Sequence, residues 1–202
     1  RISRSKAERL KLASDLKRKH GNIDLLVGGP PCQGFSGIGH RRSFTVDKKD
    51  IPTNHLYRDM AKLIEAISPK VFIFENVRGL LNSKWTKDGE KGEIWEDVLK
   101  TFFGIRTEHS GKRMKYVIEW RLLFSKDYGV PQNRPRIILI GIREDIHKKH
   151  AKKIEKYGYF PKPTGQAPDP CDVLGDLVDP YWQRKLLTST YRKEAKSEIQ
   201  RY

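Results

Sequence analysis

Residues 23–36 read Ile-Asp-Leu-Leu-Val-Gly-Gly-Pro-Pro-Cys-Gln-Gly-Phe-Ser. The first six are a short apolar run ending in glycine, the pattern of a buried parallel strand. Gly28, Gly29, Pro30 and Pro31 then form a stiff turn that fixes Cys32 at the strand's carboxyl end. In open α/β sheets, ligands gather at that edge. An isolated cysteine in a tight turn reads more readily as a small buried apolar residue. The glycine–proline frame tips the balance toward chemistry, since helix N-termini or cations close to such an edge lower a thiol pKa.

Outward from this stretch the periodicities alternate. Residues 5–20 carry Leu10, Leu12 and Leu16 among lysines and arginines, which predicts a basic helix. Leu56, Met60, Leu63, Ile64 and Ile67 give helical spacing over 55–67, ended by Ser68-Pro69. Residues 70–75, Lys-Val-Phe-Ile-Phe-Glu, predict a second buried strand, and 94–103 another helix. The polar, glycine-containing stretch 82–93 predicts a mobile loop. Strands are expected over 115–124, with Tyr116, Ile118 and Trp120, and over 136–142. The order predicts an α/β fold whose mostly parallel sheet closes on an antiparallel pair. Pro161, Pro163, Pro168, Pro170 and Pro180 mark a change of character. Residues 1–158 are thus expected to form one domain, and 159–202 a connector leading out of it.

A chain of 202 residues suits one domain. It opens on Arg1 rather than Met, so flanking sequence is expected. Forty-one Lys and Arg against 25 Asp and Glu leave a net charge of +16. Such an excess favours a polyanionic partner, nucleic acid before membrane, or merely a solubilising surface. No apolar run is long enough to span a membrane. Two cysteines, Cys32 and Cys171, suit a reducing compartment better than a disulfide framework. The six histidines form no metal-ligand spacing.

Two more constellations carry chemistry. Phe74-Glu75-Asn76-Val77 ends the second strand, and a partly buried carboxylate there suits a general acid, or simply a cap or ion pair. Gln132-Asn133-Arg134-Pro135-Arg136 leads into the last strand. Its two arginines, at i and i+2, point the same way in extended chain and suit a carboxylate, phosphate or base carbonyl. Solvated charges are the plain alternative. Pro-Pro-Cys-Gln, Glu-Asn-Val and Gln-Asn-Arg-Pro-Arg, in this order and spacing, together resemble the central motifs of the DNA cytosine-5 methyltransferases. The resemblance runs from Ile23 to Arg143, and more weakly through 160–164 and 172–177.

The resemblance implies a three-layer, Rossmann-like methyltransferase fold, incomplete here because the N-terminal strands and the C-terminal recognition region are missing. It implies S-adenosyl-L-methionine as cofactor, with Pro31 and Leu56 at its site, although only Leu56 of 54–57 keeps the family pattern. Cys32 is then the nucleophile at C6 of a flipped-out cytosine. Glu75 contacts N3, Asn76 orients the Glu75 loop, Arg136 holds O2, and Arg134 sits beside Glu75 and the flanking phosphate. Pro30 offers its carbonyl to the exocyclic amine, and Gln33, Ser36 and Gln132 line the substrate. Arg41, Arg42, Lys48 and Lys49 suit phosphate contacts. Double-stranded DNA is the implied partner, for a monomeric bacterial, cytoplasmic, nucleoid-associated enzyme, with a cognate restriction endonuclease in the same system. The rivals are a transfer-RNA methyltransferase of the same family and a non-catalytic nucleic-acid-binding relative.

Overall fold

Ser5 opens the first helix with a capping box. Its hydroxyl accepts from the Glu8 amide while the Glu8 carboxylate reaches back to the Ser5 amide. From there the computed structural model describes residues 5–31 and 47–175, with 194, 195, 198 and 201. The elements are α1 (Lys6–His20), β1 (Leu25–Gly28), α2 (Leu56–Ile67), β2 (Val71–Val77), α3 (Glu93–Phe103), β3 (Thr107–His109), β4 (Lys112–Met114), β5 (Tyr116–Phe124), β6 (Pro135–Arg143), α4 (Glu144–Lys149), α5 (Ala151–Tyr157) and α6 (Pro170–Leu174). They group into two units, 1–122 with 136–161 and 123–135 with 162–202.

The main sheet has the order β1-β2-β6-β5. β1 runs parallel to β2, in register from Leu25 opposite Val71 to Gly28 opposite Phe74. β6 returns antiparallel, from Val77 opposite Arg136 to Val71 opposite Ile142. Among the described residues the sheet is therefore mixed rather than mostly parallel, because β6 turns back against β2.

Period two governs burial. Phe72 and Phe74 of β2, with Ile137 and Leu139 of β6, are fully buried with Ile64 of α2 and Val98 and Phe102 of α3. Phe102 stacks on Phe72 at 5.6 Å and tilts against Phe74 at 4.9 Å. Gly141 is needed here, since a Cβ would run into the Phe72 ring. β1 departs from expectation. Leu26 packs on the core, yet Leu25 and Val27 are 51% and 62% exposed. β1 is the outermost strand of the described sheet, so burial on both faces does not hold for it.

One end of the sheet is laced by backbone bonds. Lys70 donates to Ile23 O at 3.2 Å, Arg143 to Lys70 O at 2.9 Å, and Glu144 to Lys115 O at 3.0 Å. The Arg143 guanidinium, 2% exposed, grips Asp145 at 2.7 Å and the Ser68 carbonyl at 2.7 Å. Ser68 ends α2 in the left-handed conformation. Tyr116 locks the same corner, donating to Pro69 O at 2.7 Å, with burial raising its phenol pKa.

Stretch 82–93, expected to be mobile, is instead tied down. Ser83 is buried and donates to Gly79 O at 2.7 Å, and the Trp85 amide donates to the Glu93 carboxylate. Trp85 also stacks on His55 at 4.8 Å. Three elements escape periodicity altogether. The β3–β4 hairpin turns on Ser110 and Gly111, both at positive φ, and α4 and α5 carry one isoleucine each among charged residues.

Candidate active site

The end of β2 places its side chains on alternate faces. Glu75 falls on the half-exposed face and Asn76 on the buried one, where it is 5% exposed. Arg136, opposite Val77, is thereby the diagonal neighbour of Glu75 on the same face. Its Nε donates to Glu75 Oε1 at 2.7 Å, with the side chains 23% and 40% exposed. An ion pair this open adds little to stability. Its consequence is geometric, since it fixes the carboxylate's direction at the sheet edge. Gly29 makes room for that carboxylate, because a Cβ there would lie 2.9 Å from Glu75 Oε2.

Asn76 works across the strands. Its Nδ2 donates to the Pro30 carbonyl at 3.3 Å, and its Oδ1 accepts from the Val77 amide at 2.8 Å. It thus ties the turn that leads to Cys32, a link that the motif reading, which assigned it to the Glu75 loop, did not reach. The Pro30 carbonyl expected to meet a cytosine amine has one lone pair engaged by Asn76 and a second remaining.

Beneath the turn, Pro30, Pro31, Asn54, Tyr57 and Asn76 help line a cavity of about 10 Å³. Thr53 Oγ1 and Asn54 Oδ1 are buried there without a hydrogen-bond partner among the described residues. Asn54, 2% exposed, donates to Lys48 O at 2.9 Å. The sequence reading singled out Leu56 here and missed Asn54; a polar residue directly ahead of an apolar helix was the available signal. Tyr57 anchors the start of α2 to α3, donating to Asp97 at 3.0 Å while Arg58 bridges the same carboxylate at 2.7 Å. Burial pushes the Tyr57 phenol up to about 12. Lys48 turns toward Ser83 at 3.4 Å, and desolvation lowers its pKa.

Cys32, Gln33, Ser36, Arg41 and Arg42 lie outside the described residues. Gln132 and Arg134 belong to the other unit, in an exposed turn where Ser125 donates to Gln132 O and accepts from the Arg134 amide at 3.0 Å. In that unit Cys171 is exposed and free. A hydrogen bond to Asp169, then the negative charge of Asp169, raises its thiol pKa, the opposite of what a thiolate nucleophile needs.

A nucleoside cofactor fits these residues only in part. The cavity under the turn admits about one water, whereas ligand pockets typically span about 300–1,000 Å³. Of the residues expected at a cofactor site, Pro31 is exposed and Leu56 half-buried.

Fold and edge define an α/β protein that gathers a Gly-Pro turn, a carboxylate and an arginine where a parallel strand pair ends. The chain belongs to the C-5 cytosine-specific DNA methylases, whose family model matches residues 5–201. It is 32% identical over 177 residues to the type II methyltransferase M.XorII of Xanthomonas oryzae pv. oryzae, covering 85% of this chain and 35% of that protein. It is 30% identical over 185 residues to the type II methyltransferase M.AquIA of Picosynechococcus, covering 87% and 70%. Among solved structures, one described as a DNA modification methyltransferase encoded within an E. coli prophage matches with a TM-score of 0.50 and 27% identity, over 84% of this chain and 41% of that one. The chain thus spans 35% of M.XorII and 41% of the prophage enzyme.

Proposed function

We propose that these residues form the catalytic core of a DNA (cytosine-5)-methyltransferase, with Cys32 as its nucleophile. The observation that carries the reading is the convergence of Glu75, Arg136 and the Pro30-Pro31 turn on one sheet edge, held by the 2.7 Å ion pair and the Asn76 bond.

The chemistry explains the residue types. Cytosine C5 is a poor nucleophile until a thiolate adds at C6. As Cys32 adds, negative charge moves toward N3, where Glu75 donates a proton or shares one. Arg136 reaches from the same edge to the O2 carbonyl, and Asn76 keeps Pro30 in place to accept from the exocyclic amine. S-adenosylmethionine supplies an electrophilic methyl group when bound, with Pro31 and Leu56 as one wall of its site. Loss of the C5 proton then lets the thiolate leave and restores the ring. Arg134, Gln132, Gln33 and Ser36 are assigned to the substrate, and 159–202 to the lead into a recognition region. A monomer acting on duplex DNA beside a restriction endonuclease completes the reading. The transfer-RNA alternative is not favoured, since the matching family model is that of DNA methylases.

The test is Cys32→Ser in the intact protein. Methyl transfer is expected to vanish while DNA binding persists, and duplex DNA carrying 5-fluorocytosine should trap the wild-type thiol as a covalent adduct. Near-normal turnover by the variant overturns the assignment.

A further inference from the structure

The edge of the sheet opposite Glu75 is strongly basic, and nothing in the methyl-transfer reading uses it. That edge is the end laced by the bonds from Ile23 to Lys70, Lys70 to Arg143 and Lys115 to Glu144. β2 separates it from the Glu75 edge by a strand of seven residues, roughly 20 Å at ~3.3 Å each.

Separate segments bring cations there. α4 and α5 hang from the end of β6, and Lys149, Lys152, Lys153 and Lys156 are all exposed on them. Lys112 and Lys115 are exposed beside the start of β5. The last turn of α1, just ahead of β1, adds Lys17, Arg18 and Lys19. Some local charge is already compensated. Arg18 meets Asp15, Lys70 meets Asp24, Lys148 meets Glu144, and Glu108 stands opposite Arg113 in the hairpin. Among the described residues, the four lysines of 149–156 and Lys112 and Lys115 make no salt bridge. Exposed Glu155 on α5 is the one carboxylate within 149–156, and four lysines against it still leave a field that attracts a polyanion.

We propose that this rim is a second, sequence-independent binding surface for the phosphate backbone of duplex DNA. A duplex seated at the Glu75 edge approaches the opposite end of the strands, so the rim takes another segment of DNA and lets one molecule hold two. The choice of DNA rests on charge complementarity and on membership of a DNA methylase family. It does not require Cys32 to be the nucleophile.

The experiment uses the intact protein and a fluorescent poly(dA)·poly(dT) duplex, which holds no cytosine. Binding is read by anisotropy across a salt series, for wild type and for a variant carrying Lys149→Gln, Lys152→Gln, Lys153→Gln and Lys156→Gln. Each lost phosphate contact lowers the slope of log K against log salt by about 0.9, so a fall of up to about 3.6 is expected for the four substitutions. A second arm fixes one duplex to beads and measures capture of a second, labelled duplex. Wild type should bridge the two; the variant should still bind the beads but lose bridging. Lys112→Gln with Lys115→Gln, on another element, should weaken bridging independently should the first variant misfold. An unchanged salt slope with intact bridging overturns the proposal. So does equally tight, variant-sensitive binding of polyglutamate, which would assign the rim to an acidic protein.

Discussion

Glu75 and Arg136 are useful to each other through direction rather than strength. Their shared exposure makes the pair cheap to break, so the cost of breaking it should appear in turnover. Glu75→Gln and Arg136→Ala are each expected to lower kcat by about 10²–10³-fold, the usual effect of removing one aligned partner of a developing charge. Thermal melting should move little, and steady-state kinetics on duplex DNA checks both. Asn76 differs because it is buried. Asn76→Ala should cost about 1–3 kcal/mol in urea unfolding, since it strands the Val77 amide and frees the Pro30 carbonyl. Arg143 and Asp145 set a pH dependence. The guanidinium beside Asp145 holds its carboxyl below the usual range. A depressed carboxylate pKa adds stability above the unfolded value of about 3.9, which is lost as pH falls through the folded value. Asp145→Asn should therefore flatten the stability profile below about pH 4 in acid titrations followed by circular dichroism.

Elements with a clean period were legible in the sequence, and those without one were not. Continuous apolar runs, Val-Phe-Ile-Phe and Ile-Ile-Leu-Ile, announced β2 and β6, and the helical spacing of Leu56, Met60 and Ile64 announced α2. The same apolar run that located β1 misjudged its burial, because Leu25 and Val27 depend on what lies beside the strand, and composition does not encode that. α4 and α5 stayed hidden because Ile146 and Ile154 alone make no stripe. The β3–β4 hairpin hid because its strands are three residues long. At the 82–93 stretch, polarity suggested motion, but Trp85 and Glu93 form a clasp that only three-dimensional proximity reveals. Gly141 gives the element-scale test. Gly141→Ala drives a methyl into the Phe72 ring and should destabilise by roughly 1–3 kcal/mol, seen as a lower urea midpoint.

Across the whole molecule, Glu75 and Arg136, from two of the three motifs, lie together at one sheet edge, while Cys32 lies outside the described residues. The Asn76–Pro30 bond stayed invisible because its partners lie 46 residues apart in the chain. The wall proposed for the cofactor, Pro31 and Leu56, is apolar and gives little orientation. These 202 residues alone should therefore show no measurable heat with S-adenosylmethionine up to about 1 mM, a binding free energy weaker than about −4 kcal/mol. Micromolar binding in isothermal titration would show that the site is complete. The antiparallel return of β6 also has a consequence during synthesis. β2 is made long before the strand that covers its second flank, which is complete only at Arg143. At ~5–20 residues per second, the nascent chain exposes that flank for several seconds. An unpaired strand edge carrying Phe72 and Phe74 invites pairing with other chains. The ribosome-bound intermediate, rather than the finished protein, is thus the form most in need of a chaperone.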